Sequence, residues 1–346
     1  MRPELAYVVV RCHAMRAELL APEVMKALVL TKDLGEFLEL LSQTPYGEEV
    51  GERGRLVSAT KLEKAFNQNF VRRLERIVRV CPGDLSEFLQ TYYYMRLEIH
   101  NLKRILRGKF SKLPIDRIRD FLTSLGPYQP VFFEDLLMAE ELGDFISLLS
   151  RTPYAPLEKS LVLCEKYDIL WPVEARLNYL YVEAVQGVLS KIPRADRSRV
   201  RSIVETEADV ENLLLAINQR GVEKVLAPPE GVFQQAYGFS PEIFKELIEC
   251  RDLGEAIKGL ASPYTGILKP ILEEDAALVR ANLRRHIYEM AGRMRERDDF
   301  GFPCIFSYLS SCEAERGELV AIAWGKEQGV EPKRILAYSV LPAYAT

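Results

Sequence analysis

The segment "DLGEFLELLSQTPYG" (33–47) has the apolar spacing that is typical of one face of an α-helix. Its apolar residues, three or four places apart, are Leu34, Phe37, Leu38 and Leu41. Asp33 and Glu36 fall in the predicted first turn, where backbone N–H groups without partners favour negative charge. Pro45 disfavours helical dihedral angles in the residue before it, so the helix should end there. The ring of Tyr46 can then pack back while its hydroxyl stays near water.

Longer segments show the same helical period. "LEKAFNQNFVRRLERIV" (62–78) places apolar residues on one side and its arginines, including Arg73, largely on the others. "EEDAALVRANLRRHIYEMAGRMRER" (273–297) behaves similarly, whereas Pro172 interrupts the pattern of 167–189 early. "AYVVV" (6–10) is the one stretch that resembles a strand. The pattern therefore predicts an all-α fold.

The segment 33–47 recurs twice more in the chain. "ELGDFISLLSRTPYA" occupies 141–155 and "DLGEAIKGLASPYTG" occupies 252–266. From Tyr46 to Tyr154 and on to Tyr264 the chain keeps a steady period of roughly 110 residues, which indicates an internal repeat. The three tyrosines are expected to be copies of one packing solution.

A second marker follows the first in each copy. "EIHNLKRILRGK" (98–109), "DVENLLLAINQRG" (209–221) and "ERGELVAIAWGK" (315–326) each begin with an acid, followed by aliphatic residues. The acids Glu98, Asp209 and Glu315 follow the tyrosine of their copy at nearly equal intervals. We expect them to serve as helix-start acids or to form ion pairs within their own copies.

Two markers that keep their order and spacing divide the chain into three helical repeats, 1–112, 113–222 and 223–346. Proline-rich joins fall near 113–130 and 226–241. A glycine follows each aliphatic run, at Gly108, Gly221 and Gly329. Glu318 stands in the third copy where the first two have asparagine, which we interpret as drift.

Composition limits the function classes. The 346 residues are too many for one compact core, and 48% hydrophobic with 28% charged residues is typical of a globular protein. The formal net charge of −4 argues against a general binder of nucleic acid or anionic lipid. The sequence has no apolar run of about 20 residues and no signal-peptide pattern, so a cytoplasmic chain without a membrane span is expected.

Recognisable catalytic and ligand-binding motifs are absent from the sequence. It has no phosphate-binding G-x-x-x-x-G-K-[ST] loop and no H-E-x-x-H pair, and its three histidines are far apart. The six scattered cysteines contain no C-x-x-C pair and are expected to be thiols. We therefore expect no catalytic residues, no cofactor, no metal and no nucleotide.

The arginines Arg72, Arg76 and Arg79 form a stripe along the helix predicted at 62–78. A solvated helix face is the ordinary interpretation of such a stripe. Its functional interpretation is a surface that contacts a partner protein.

Three helical copies with these markers resemble the C subunit of archaeal-type rotary ATPases, which is called the d subunit in the vacuolar enzyme. "LSQTPYG", "LSRTPYA", "EIHNLKRILRGK" and "DVENLLLAINQRG" carry the resemblance, together with the opening "YVVVRCHAMRAELL" and the ending "CEAERGELVAIAWGKEQGVEPKRI". It covers nearly the whole chain in order.

The resemblance implies a funnel-shaped, pseudo-threefold socket on the cytoplasmic face of the membrane proteolipid ring. The central stalk subunits would insert into its mouth, and the chain would turn with the rotor and transmit torque for proton or sodium transport. The family implies that this part of the complex has no catalytic role. Closure of the copies into a ring also comes from the resemblance, because periodicity alone does not require it.

Two other interpretations stay open. A cytoplasmic α-solenoid scaffold that binds another protein would also show three long repeats. An all-α enzyme would need polar residues from different copies to converge in a pocket.

Overall fold

The computed structural model describes residues 3–50, 58–128, 133–220, 229–233 and 235–340. All regular structure in these ranges is helical, with no strand, so the predicted all-α class is confirmed. The strand-like "AYVVV" lies inside helix α1 (Pro3–Arg16). Leu5, Val8, Val9 and Cys12 are buried while Val10 is exposed. This helical period extends beyond the five residues and overrides their strand propensity.

The first part of the chain continues with two long helices and several short ones. They are α2 (Pro22–Leu30), α3 (Leu34–Leu41), α4 (Gly47–Val50), α5 (Ala59–Val78), α6 (Gly83–Leu89), α7 (Met95–Phe110) and α8 (Ile115–Asp120). A π-helical turn at Gln90–Tyr94 connects α6 and α7 without a break. Helix α8 lies in the segment that was predicted to be a proline-rich join.

The middle part contains α9 (Phe133–Met138), α10 (Leu142–Leu149), α11 (Glu158–Tyr167), α12 (Trp171–Val188) and α13 (Arg194–Ile217). Pro172 lies in the first turn of α12 and does not interrupt a helix. A proline is tolerated there because the first N–H groups of a helix have no intrahelical partner. Asp168, with a left-handed φ of 56°, ends the preceding helix.

The last part contains α14 (Pro229–Val232), α15 (Glu242–Glu249), α16 (Leu253–Lys258), α17 (Tyr264–Leu268), α18 (Ala276–Arg297), α19 (Phe302–Glu327) and α20 (Pro332–Ala337). Short 3₁₀ turns occupy Gly126–Tyr128, Ala155–Leu157, Leu189–Lys191 and Lys269–Glu273.

The acid that opens the first marker segment caps its helix in two of the three copies. Asp33 accepts a hydrogen bond from the backbone N–H of Glu36 at 3.0 Å, and Asp252 accepts from Gly254 at 2.8 Å. Glu141, at the corresponding position of the second copy, makes no such bond.

The long helices pack in a cyclic order. Helix α7 packs against α12, α13 against α18, and α19 against α5. The last long helix of each predicted repeat therefore contacts the first long helix of the next, and the third repeat contacts the first. The repeat boundaries themselves stay a prediction.

The marker tyrosines and acids connect different copies. The Tyr46 hydroxyl donates to Glu315 at 2.7 Å, and the Tyr264 hydroxyl donates to Asp209 at 2.6 Å. Tyr154 interacts with Glu98 without a hydrogen bond of normal geometry. Each tyrosine thus meets the acid of the preceding copy, and the first meets the acid of the last.

The expectation that the Tyr46 hydroxyl stays near water was wrong. The tyrosine hydroxyls are buried away from water, with Tyr46 only 2% exposed. Glu98 lies in the first turn of α7 as expected, but Asp209 and Glu315 lie inside α13 and α19 and pair with other copies. Asp209 and Glu315 form contacts between copies because α17 packs against α13 and α3 packs against α19.

Arg73 was expected on a polar helix side, and this was also wrong. It is 4% exposed, and its Nη1 lies 3.0 Å from a Glu315 oxygen. Its guanidinium also lies 5.3 Å from the centre of the Tyr46 ring. Arg73, Tyr46 and Glu315 together form a buried polar contact between the first and third predicted repeats.

The three glycines that follow the aliphatic runs do not play one role. Gly108 lies inside α7, whereas Gly329 follows α19 with a φ of 67°. Gly221 lies outside the described residues. Gly108 and Gly329 therefore lie at different positions relative to their helices.

Candidate partner-binding cavity

Three side chains from matching positions meet where the long helices converge. Arg96, Glu207 and Glu313 each lie two residues before the marker acid of their copy. The Arg96 guanidinium is 3.0 Å from a Glu207 oxygen and 2.9 Å from a Glu313 oxygen. Helices α7, α13 and α19 are therefore tied together by one arginine between two carboxylates.

Aromatic side chains fill the core next to this ion-paired centre. The Arg96 guanidinium lies 4.7 Å from the centre of the Tyr92 ring. Tyr92 in turn packs against Phe88 and Phe306, with ring centres 5.8 and 5.2 Å apart. The Tyr181 hydroxyl donates to the Tyr92 carbonyl at 3.0 Å. An aromatic core therefore supports one side of the Arg96 ion pairs.

A cavity of about 310 Å³ lies beside Arg96, between α7, α12, α13, α18 and α19. We call it the basic cavity. Its lining contains seven Lys and Arg side chains against three glutamates, a net charge of plus four. The seven are Arg96, Lys103, Arg104, Arg107, Arg280, Arg284 and Arg316. The glutamates are Glu207, Glu211 and Glu313.

Several of these cations are neutralised within the chain. Besides the pairs of Arg96, Arg280 lies 3.2 Å from a Glu211 oxygen. Arg107 and Arg104 pair at 2.5 Å with acids just outside the lining, Glu174 and Glu63 respectively.

Among the described residues, the remaining cations make no hydrogen bond to a carboxylate. The Lys103 amine donates to Asn178 at 2.6 Å, and Arg316 donates through Nη1 to Asn67 at 2.9 Å. Another Arg316 nitrogen lies 3.9 Å from an oxygen of the Glu313 that pairs with Arg96. The Nε atoms of Arg284 and Arg316 are buried and have no hydrogen-bond partner in the described ranges. Lys103, Arg284 and Arg316 thus keep donor capacity that the chain itself does not use fully.

The pKa values of these cations reflect their burial above all. Burial lowers the pKa of Lys103, while the charges of Glu211 and Glu174 raise it and those of Arg107 and Arg280 lower it. Burial likewise lowers the pKa values of Arg284 and Arg316. His100 is open to the cavity, yet desolvation and the nearby cations hold its pKa well below the usual value. The imidazole is therefore neutral at pH 7 and adds no charge.

The stripe of arginines predicted to contact a partner lies elsewhere. Arg72 and Arg76 are exposed on α5, Arg79 is exposed directly after it, and none lines the basic cavity. Arg79 pairs with Glu75 of α5, and an Arg76 nitrogen lies 4.0 Å from a Glu18 oxygen. Their role as contact residues stays a prediction.

A signal for part of the basic cavity was present in the sequence. Arg96, His100, Lys103 and Arg107 recur at steps of four, three and four residues, which places them on one face of α7. In the same segment the aliphatic residues form the repeat marker, and that marker does not predict a site on the basic face. The cations of α18 belong to the third predicted repeat, so no local pattern connects them with α7.

One group of side chains in the described ranges lies close enough together to hold a metal ion. His13, Asp299 and Cys304 bring their ligand atoms within 4.8 Å of one another. However, burial raises the pKa of Cys304 to about 11, and Arg295 donates to both Asp299 oxygens. Because a metal needs the thiolate and a free carboxylate, this group serves better as a polar contact between α1 and α19.

Within the described ranges, each helix is too short or too polar to span a lipid bilayer.

Comparisons with known proteins agree with the resemblance. The profile of the family described as ATP synthase (C/AC39) subunit matches residues 8–338. The C subunit of the A-type ATP synthase of Archaeoglobus fulgidus is 28% identical over 342 residues, covering 96% of this chain and 95% of the relative. Its counterpart in Haloferax volcanii is 24% identical, with 97% of both chains covered.

The corresponding protein of Methanosarcina acetivorans is 29% identical over 224 residues. This match covers 63% of the chain and 60% of the relative, so it spans less than two thirds of that protein's length. Since the family profile covers nearly all of the sequence, the chain belongs to the ATP synthase (C/AC39) subunit family.

Proposed function

We propose that this chain is a non-catalytic adaptor in the rotor of an A/V-type ATP synthase or ATPase. It acts as a socket that joins the central stalk to the membrane proteolipid ring and transmits torque between them. It contributes no catalytic residue, binds no nucleotide or cofactor, and lies on the cytoplasmic side of the membrane through its protein contacts. The coupled ion, proton or sodium, is selected by the ring.

The cyclic order in which the predicted repeats pack, with α19 returning to α5, is the observation that supports this proposal most directly. A rotor adaptor must hold an axial partner and resist twisting, and repeats that pack onto one another in a closed order suit both tasks. The relatives are named as the C subunit of an A-type ATP synthase, which points to the same assembly.

The open solenoid scaffold is the alternative. In an open array each repeat contacts only its neighbours, so the first and last units stay apart. The contacts of Tyr46 and Arg73 with Glu315 join the first and third predicted repeats. These contacts favour the closed socket over the open scaffold.

The test is an affinity pull-down of the tagged chain from host membranes in mild detergent. We expect the proteolipid, the central stalk subunits and a P-loop ATPase protein to be identified together by mass spectrometry. A chain recovered from the soluble fraction with none of these partners would contradict the proposal and favour the scaffold.

Torque transmission needs a second measurement. Membranes from cells that lack this chain should keep ATP hydrolysis by the soluble head but lose ATP-driven ion transport. Restoring the chain should restore transport. Ion transport at the normal rate without the chain would exclude the adaptor role.

A further inference from the structure

The basic cavity is positive although the chain as a whole is negative. Its lining has a net charge of plus four, whereas the complete sequence has a net charge of −4. After the ion pairs with glutamates inside and just outside the lining are counted, Lys103, Arg284 and Arg316 have no carboxylate within hydrogen-bond distance among the described residues. An excess of one sign in a confined space attracts ligands of the opposite sign.

These three cations are costly to keep in place without a full set of hydrogen bonds. Burying a charged group without full hydrogen bonding is unfavourable, and natural cores avoid it unless it has a use. The buried Nε atoms of Arg284 and Arg316 are donors that lack an acceptor among the described residues. A ligand that brings negatively charged oxygens would satisfy them with strong, charge-assisted hydrogen bonds.

The described cavity wall lacks the backbone donors that are common in phosphate sites. Phosphate sites in proteins commonly use backbone N–H groups at helix N-termini or in glycine-rich loops. Lys103, Arg284 and Arg316 instead lie in the interiors of α7, α18 and α19, where backbone N–H groups bond to carbonyls of the same helix. Only side chains are available as donors.

The dimensions fit a few side chains of a partner and not a whole turn of helix. One turn of helix about 10 Å wide occupies roughly 400 Å³, more than the cavity volume of about 310 Å³. Arg96 and Arg107 mark the depth along α7, and they are separated by roughly 16 Å at 1.5 Å per residue. A chain end carrying a few acidic side chains would reach Lys103 and Arg284 in the middle.

We propose that the basic cavity receives the carboxylate-bearing tip of the central stalk, and that Lys103, Arg284 and Arg316 pair with its carboxylates. The inference rests on the proposed function, which brings the stalk to this place. It adds the charge of the partner and the residues that recognise it.

The experiment compares the binding of purified central stalk subunits to the wild-type chain and to the double variant Lys103→Met/Arg284→Met at several salt concentrations. We expect the double variant to bind at least about tenfold more weakly and with a shallower salt dependence. The matched control is Arg117→Met/Arg251→Met, which removes the same charge from two exposed sites outside the cavity. It should bind within about twofold of wild type.

Thermal unfolding distinguishes a recognition role from a structural one. If Lys103 and Arg284 mainly stabilise the fold, the double variant will melt at a lower temperature. We expect an unchanged or higher melting temperature, since methionine fills similar space without a desolvated charge.

Carbodiimide cross-linking of the assembled complex gives an independent readout. The reagent activates a carboxylate, and the Lys103 amine displaces the resulting urea to form an amide bond. A peptide joining Lys103 to an Asp or Glu of the stalk would support the proposal.

The outcomes separate this inference from the proposed function. If the stalk binds but neither the double variant nor salt changes its affinity, the charge recognition is wrong and the socket stands. If the stalk does not bind the wild type at all, both fail. Tight binding of inorganic pyrophosphate that the double variant abolishes, with stalk binding unaffected, would make the cavity a small-anion site and overturn the inference.

Discussion

Tyr46, Tyr154 and Tyr264 hold matching positions in the three predicted repeats, and each reaches the acid of the copy before it. The sequence reveals the tyrosines and the acids but not their pairing. Tyr154, for example, lies almost as far along the chain from Glu98 before it as from Asp209 after it. Separations this similar cannot decide between a partner within the copy and one in the neighbouring copy, so only the packing of the helices reveals the pairing.

Loss of a tyrosine hydroxyl should have unequal effects in the three copies. Tyr46→Phe and Tyr264→Phe each remove a short hydrogen bond to a buried carboxylate, so we expect each to lower the free energy of unfolding by about 1–3 kcal/mol. Tyr154→Phe, whose hydroxyl makes no normal hydrogen bond, is the matched control and should cost less than about 0.5 kcal/mol. Urea unfolding of the three variants measures the change in the free energy of unfolding. Equal losses in all three would show that the hydrogen bond to the carboxylate is not the cause.

Glu98 should make the stability depend on pH. Burial raises its pKa from 4.5 to about 7. The folded state therefore holds this proton more tightly than the unfolded state. The stabilisation is complete below pH 4.5 and is lost as pH rises through 7.

We expect wild type to lose about 2 kcal/mol relative to Glu98→Gln between pH 5 and pH 8. The same substitution at the exposed Glu23 on α2 is the control. Urea unfolding at a series of pH values gives the comparison. Parallel profiles for wild type and Glu98→Gln would show that the carboxyl has an ordinary pKa.

At the scale of helices, the short helices α8 and α20 pack in the same way against the long helices α7 and α19 that precede them. A Cβ on Gly108 would lie 2.5 Å from Ile118, and a Cβ on Gly325 would lie 2.7 Å from Ile335. In both cases the isoleucine is ten residues after the glycine. Helix α8 on α7 and helix α20 on α19 are thus matching contacts that need glycine for a close approach.

The same correspondence explains Glu318, which the sequence suggested was drift. Asn101 accepts a hydrogen bond from the backbone N–H of Thr123 at 3.0 Å. Glu318 accepts one from the backbone N–H of Val340, which lies at the same separation along the chain. Both side chains act as acceptors, so a carboxylate can replace an amide at this position. Residue identity alone could not show this, because the shared property is the oxygen.

Alanine at either glycine should therefore destabilise the protein. We expect Gly108→Ala and Gly325→Ala each to lower the free energy of unfolding by about 1–3 kcal/mol, because the added methyl overpacks the contact. Gly187→Ala is the control, since it is exposed in α12 with nothing within 4 Å of its Cβ position. It should be neutral or stabilise by up to about 1 kcal/mol, as alanine favours helix more than glycine does. Thermal unfolding measures all three, and a neutral Gly108→Ala would show that Ile118 moves aside easily.

For the molecule as a whole, the periodic pattern predicted the helices and their three copies, but not how the copies meet. Burial of Phe66, Phe70, Leu74 and Ile77 on α5 follows from local spacing. The cluster that contains Phe66 also contains residues of α19, near the other end of the chain. Local periodicity carries no information about such a partner. The basic cavity could be predicted only in part for the same reason, because its face on α7 is local in sequence but its other cations lie on the distant helices α18 and α19.

The contact between the first and third predicted repeats should contribute strongly to stability. Arg73→Met leaves Glu315 buried without its cation, so we expect a loss of about 3–5 kcal/mol in the free energy of unfolding at pH 7.5. The control is Arg76→Met on the same helix. This arginine is exposed, and its contact with Glu18 is weak because the nitrogen and oxygen atoms are 4.0 Å apart. It should change the stability by no more than about 0.5 kcal/mol. Equal effects of the two variants, measured by urea unfolding, would mean that the Arg73 contact adds little.

A chain of repeats usually frays from its ends, because a terminal unit has one neighbour where an inner unit has two. Here α19 packs on α5 and α1, so the last unit also serves as the neighbour of the first. Neither end can peel away without breaking contacts on two sides. Among the described helices there is therefore no terminal unit from which unfolding would start, and under the proposed function this arrangement would resist unzipping when torque is applied.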